Sequence, residues 1–179
     1  NVLLEKNLVN DRKWLEYSVY PLFSPQSLIA EGTANYGVEM AFPDALKKSF
    51  QRDVLYPLAG INPALLDKYE ALLKLTGQLS YAGNEAARDY IDGKMTRQQA
   101  IDWLINVELY PIEKAPQRIS FFDVNRSYVI NYNVGKDLVK NYVEHNTRSA
   151  TTESEKTELR WQVFEKLLST PLLPSNLKK

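Results

Sequence analysis

A chain of 179 residues, 44% apolar and 25% charged, has the length and composition to bury a core of its own. Its 22 basic and 22 acidic residues cancel, and with no local Lys/Arg cluster that balance argues against nucleic acid as a partner. Cysteine is absent and histidine occurs once, at His145, which excludes disulfides, thiolate metal sites, a cysteine nucleophile and a two-histidine metal site within these residues.

Helix signals dominate and strand alternation is nearly missing, so the pattern predicts an all-α, multi-helix array of about seven helices. The first candidate covers residues 2–20, on Leu4, Leu8, Trp14 (or Leu15) and Val19, with Pro21 ending it. Ser24-Pro25 reads as an N-cap followed by proline at the first helical position, and opens a helix over 25–41. A third helix starts at Pro43 or Asp44, carries Phe50, Val54 and Leu55, and ends before Pro57. Asn62-Pro63 repeats the cap-plus-proline pattern and opens the longest helix, 63–92. Its stripe runs through Leu66, Tyr69, Leu73, Thr76, Leu79 (or Ser80), Gly83, Ala87 and Tyr90 to a stop at Gly93.

Thr96 and Gln99 form a capping box for a helix reaching Leu109, and Pro111 and Pro116 mark the loop after it. Residues 118–145 predict one continuous helix with Tyr128, Tyr132, Gly135, Val139 and Tyr142 on a stripe. After a polar loop over 146–151, Thr152 and Glu155 form a second capping box, for a helix through Trp161, Phe164, Leu167 and Leu168. The tail from Ser169 to Pro174 predicts an extended segment packed on the helices. No stretch approaches the ~20 apolar residues that span a bilayer. The expectation is a soluble chain without membrane association, its compartment open and the cytoplasm favoured. No repeat or composition shift divides it, which suggests a single helical domain over 1–179. The opening Asn1-Val2-Leu3, without an initiator Met or a signal segment, reads as the middle of a helix, so the domain is expected to be the C-terminal part of something longer.

The helix over 25–41 stands apart. Gly32 and Gly37 each cost about 1 kcal/mol against alanine in a helix interior. With Ala30, Thr33, Ala34 and Ala41 they leave a surface of small residues, suited to close approach by neighbouring helices. Glu31 sits in the middle of it, with Asn35 one turn on along the same face. A carboxylate among packed backbone is costly unless paired or metal-bound. The plainer alternative is a solvated polar edge shared with Glu39.

The run from Leu28 to Tyr36, Leu-Ile-Ala-Glu-Gly-Thr-Ala-Asn-Tyr, and the preceding Trp14-Leu-Glu-Tyr-Ser-Val-Tyr20 resemble a bacterial family of largely uncharacterised proteins. That family is similar to gluzincin-like zinc metallopeptidases, of the His-Glu-x-x-His plus downstream glutamate type. A second stretch, from Arg126 to Lys136, resembles the family's late helix with its Arg-Tyr and Tyr-x-x-Gly pattern. The resemblance covers most of the chain but rests on these two short motifs. It implies that Asn1 follows just after the two-histidine segment and that Glu31 is the downstream glutamate, the third zinc ligand. Zinc would then belong to the full-length parent, with none expected in this stretch alone, and the parent would act on a peptide-like substrate.

Two histidines, a carboxylate and a water are the usual surroundings of a catalytic zinc. In such a site Asn35 would orient a ligand, Tyr132 or Tyr128 would donate to the oxyanion of a tetrahedral intermediate, and Arg126 would hold a substrate carboxylate. Each has an ordinary reading beside it. The tyrosines fit a core stripe, Gly135 fits close helix packing, Arg126 fits a pair with Asp123, and His145 fits a helix end. This chain departs from the family in lacking both histidines and the general base. The rival is a non-catalytic helical interaction or scaffold module, and a third reading is a metal-free relative that binds peptides. The zinc reading expects Glu31 in a concave groove near Tyr132 or Tyr128, with exposed apolar surface around it through which a homo-oligomer would form.

Overall fold

The computed structural model describes residues 2–178, the side chain of Asp44 left aside. It is 78% helical, with no strand among the described residues. The helices are α1 (Val2–Glu5), α2 (Pro25–Ala41), α3 (Asp44–Phe50), α4 (Tyr56–Leu58), α5 (Leu66–Ile91), α6 (Arg97–Asn106), α7 (Ala115–Asn125), α8 (Ile130–Asn146) and α9 (Glu153–Ser169). α1 and α4 are single turns, so seven helices of seven residues or more remain, the all-α array expected from the periodicity. The chain divides into two compact units, Asn1–Ala41 with Ile130–Lys179, and Phe42–Val129.

In the first unit α2, α8 and α9 enclose a core of Ile29, Tyr36, Met40, Val139, Val143, Phe164 and Leu167. The glycines explain how α2 and α8 meet. A Cβ on Gly135 would lie 2.5 Å from the Leu28 carbonyl oxygen, and one on Gly32 would collide with the Gly135 carbonyl. The two backbones are therefore in direct contact, and the loss of helix propensity at these positions is offset by packing that no larger residue permits. Gly37 is different, since a Cβ there would rest at an ordinary 3.6 Å from the Phe164 ring.

The first segment is shorter than its periodicity predicts. α1 continues as a π turn, Lys6–Asp11, then breaks at Lys13 (φ 61°) before a 3-10 turn, Leu15–Ser18. The Trp14 N–H donates to the Leu8 carbonyl at 2.9 Å and the Arg12 N–H to Asn7 at 3.1 Å, which satisfies the end carbonyls without a glycine. α2 starts at Pro25 as predicted, but Ser24 does not cap it with its hydroxyl, which is buried without a hydrogen-bond partner. Ser27 ties down the entry instead, accepting from the Tyr20 hydroxyl at 3.0 Å and donating to the Leu22 carbonyl.

At α9 the Glu155 N–H donates to Thr152 Oγ1 at 3.2 Å, one half of the predicted capping box; the reciprocal bond goes one residue earlier. The Glu155 carboxylate accepts from the Thr151 N–H and hydroxyl, at 2.8 and 3.0 Å, and the Thr151 N–H leads the contacts that hold its carboxyl below the ordinary range. After α9 the chain runs extended through Thr170 and Leu173, then closes in a 3-10 turn that buries Leu177.

In the second unit α5, α6 and α7 pack around Ala86, Ala87, Ala100, Leu104, Ala115, Ile119 and Phe122. The Asn62 side chain accepts from the Ala64 N–H at 3.0 Å, Gly93 takes φ 73°, and Thr96 and Gln99 make both bonds of their capping box. Pro57 does not end its helix. A π turn, Gln51–Leu55, leads into α4, and the wider turn accommodates a ring that would strain a regular one. α6 stops at Asn106 rather than Leu109, where Leu109 itself takes φ 58°. On α5 the predicted stripe is buried at Leu66, Gly83 and Ala87 and exposed at Tyr69 and Leu73, and Leu72 and Leu75 beside it are exposed as well.

The predicted 118–145 helix is two helices. α7 ends at Asn125, Arg126 takes φ 52° and ψ −127°, and a 3-10 turn, Arg126–Val129, precedes α8. Neither glycine nor proline stands there, so no local signal announces the break. No helix of the described residues is long and apolar enough to cross a membrane.

Candidate functional site

Glu31 occupies the middle of α2 and is half-buried, directly before the glycine that meets α8. Asn35, exposed one turn on, donates its Nδ2 to the Glu31 backbone carbonyl at 2.9 Å. Its amide nitrogen thus serves the helix backbone, while the Glu31 carboxylate stands apart from that bond. Beside Ala30 and Thr33, a cleft of about 50 Å³ opens against Leu167, Thr170 and Leu172.

Glu39 lies two turns further along α2 and is half-buried. It reaches Lys136 on α8 at 2.5 Å and Lys140 at 3.6 Å. Burial works to raise its carboxyl, but the ammonium group of Lys136, then that of Lys140, outweighs burial and holds it below the ordinary range.

The other sequence-predicted residues divide between the units. Tyr132 lies in the first turn of α8, in the same unit as Glu31 and Asn35, and is 37% exposed. Tyr128, half-buried, and Arg126, exposed, lie on the 3-10 turn of the second unit. The break at Arg126 thus takes Tyr128 off the α8 stripe. Asp123 bonds to other partners than Arg126. It accepts from the Tyr90 hydroxyl at 2.7 Å and from Arg97 at 2.8 Å, and Arg126 acts on it through charge alone. His145 is exposed in the last turn of α8.

As a metal site these residues are incomplete. A catalytic zinc takes three protein ligands, and Glu31 offers one carboxylate. Among the described residues no group of three or more His, Cys, Asp or Glu is placed to hold an ion. The described residues therefore do not by themselves fit the metal, and no chemical step follows from them through it.

Two polar features had no sequence signal. In the first unit Arg160 of α9 is half-buried and donates to the hydroxyl of the fully buried Tyr36 at 2.9 Å, a pair 124 residues apart. In the second, Glu108 packs its carboxylate against Gly83, where a Cβ would lie 2.5 Å from Oε2. Burial pushes the Glu108 carboxyl above its ordinary value, opposed by the charge of Arg118. That guanidinium stacks 5.1 Å from the rings of both Phe121 and Phe122. Both features join different elements, α9 to α2 in one and the bend after α6 to α5 and α7 in the other, which no local pattern encodes. Comparison with family models, with curated proteins and with solved structures found no match to this chain.

Proposed function

We propose that this chain is the C-terminal helical part of a zinc-dependent, peptidase-like hydrolase, to which it contributes Glu31 as one metal ligand, the other ligands lying outside this sequence. The observation that supports the reading most is the setting of Glu31. Glu31 is half-buried on a helix whose next residue, Gly32, is locked backbone-to-backbone against Gly135. A ligand carried on so constrained a helix is held to the small tolerance that a metal demands. A zinc bound there would supply Lewis acidity and an activated water. Tyr132 shares the unit of Glu31, and Arg126 and Tyr128 are not required.

A second reading, a non-catalytic helical scaffold, is favoured by the same contact. Gly32 and Gly135 are sufficiently explained by the meeting of α2 and α8, with no ligand invoked. One experiment separates the two. The chain is expressed with its upstream coding sequence and assayed for bound zinc and for peptide hydrolysis, beside Glu31→Gln. The hydrolase reading expects stoichiometric zinc, lost in the variant while helicity and melting temperature are kept. The scaffold reading expects no zinc in either protein.

A further inference from the structure

Where α8 ends and α9 begins, the first unit holds a cleft of about 340 Å³. Its lining carries three cations, Arg148, Lys156 and Arg160, and two carboxylates, Glu144 and Glu153, around Thr147. None of these five charged groups forms an ion pair with another described residue. Charges of both signs therefore line one concave surface without cancelling each other in contact.

Arg160 anchors the cleft. It is held in place by its bond to the buried Tyr36 hydroxyl, and its Nε is buried without a hydrogen-bond partner. A guanidinium has five donors in a planar fork suited to a carboxylate, and among the described residues it bonds to a neutral phenol alone. At the start of α9 the Glu155 N–H is already held by the Thr152 hydroxyl and the Thr151 N–H by the Glu155 carboxylate, and the charged groups of the lining are side chains. Recognition would fall to the side chains.

We infer that this cleft binds a small zwitterionic acid, with Arg160 and Lys156 taking its carboxylates and Glu144 or Glu153 its ammonium group. The charge pattern carries the choice. Three cations facing two carboxylates leave one positive charge in excess, and an acidic amino acid, with two carboxylates and one ammonium, offers the complement. The volume lies at the small end of the range for ligand pockets, roughly 300–1,000 Å³. No residue is shared with the Glu31 reading, so either can fail without the other.

The test is calorimetric titration of this chain with L-glutamate, glutarate, L-lysine and inorganic phosphate. Glutamate is expected to saturate one site and to bind about tenfold more tightly than glutarate, which lacks the ammonium, with L-lysine weaker still. Arg160→Met should weaken glutamate by tenfold or more. Because Arg160 also holds Tyr36, Lys156→Gln serves as the second variant. It alters a side chain exposed at the surface and should weaken binding with the melting temperature unchanged. No saturable glutamate binding, equal binding of phosphate and glutamate, or full affinity in Lys156→Gln would each overturn the inference.

Discussion

The carbonyl oxygen of Leu28 stands 2.5 Å from where a Cβ at Gly135 would be, so α2 and α8 touch through backbone rather than side chains. Gly135→Ala must move one helix. Overpacking of this kind costs about 1–3 kcal/mol, more than the ~1 kcal/mol of helix propensity that alanine regains. Gly37→Ala, with 3.6 Å to the Phe164 ring, should be neutral or stabilising by up to about 1 kcal/mol. Urea denaturation of the two variants measures the contrast, and equal midpoints would disprove the close contact.

Glu108 predicts an inverted pH dependence. Its carboxyl is raised in the folded unit, chiefly by burial, so the folded state holds the proton more readily than the unfolded chain. Its contribution to stability therefore declines as pH rises above the ordinary value of 4.5, the reverse of an ion-paired acid. Glu108→Gln should flatten that part of the profile. Gly83→Ala should act alike, because the new methyl pushes the flexible carboxylate toward water. Urea midpoints across the acid range check both, and a wild-type slope kept by both variants refutes the assignment.

Tyr36→Phe removes the acceptor of Arg160 and leaves the ring contact with Phe164 in place, an edge-to-face pair with centroids 6.0 Å apart. The expected loss is about 1–2 kcal/mol, the cost of leaving a charged donor without its partner. Chemical denaturation of the single variants and of Tyr36→Phe with Arg160→Met gives the coupling. Additive losses would show that the bond contributes nothing.

Much of the fold was legible because its signals are local. The Asn62 cap, the Thr96–Gln99 box, the stop at Gly93 and the Thr152 cap are each satisfied by groups within four residues. So the start of a helix, and often its end, is written in the sequence next to it. The chemical character of Glu31, an acid among small residues, was visible in the same way.

The breaks and the pairings were not. Lys13, Leu109 and Arg126 take positive φ with no glycine to announce it, and Pro57 stays within a helical run because a π turn precedes it. Three residues of any type can be held in a left-handed conformation when the surrounding packing outweighs the strain. The break at Arg126 decides which unit each of Tyr128 and Tyr132 joins. Composition and periodicity by themselves determined an all-α chain, its caps and its lack of histidine pairs and thiols. Tertiary packing decided where Gly32 finds Gly135 and where Arg160 finds Tyr36, because contacts more than a hundred residues apart depend on how whole helices meet.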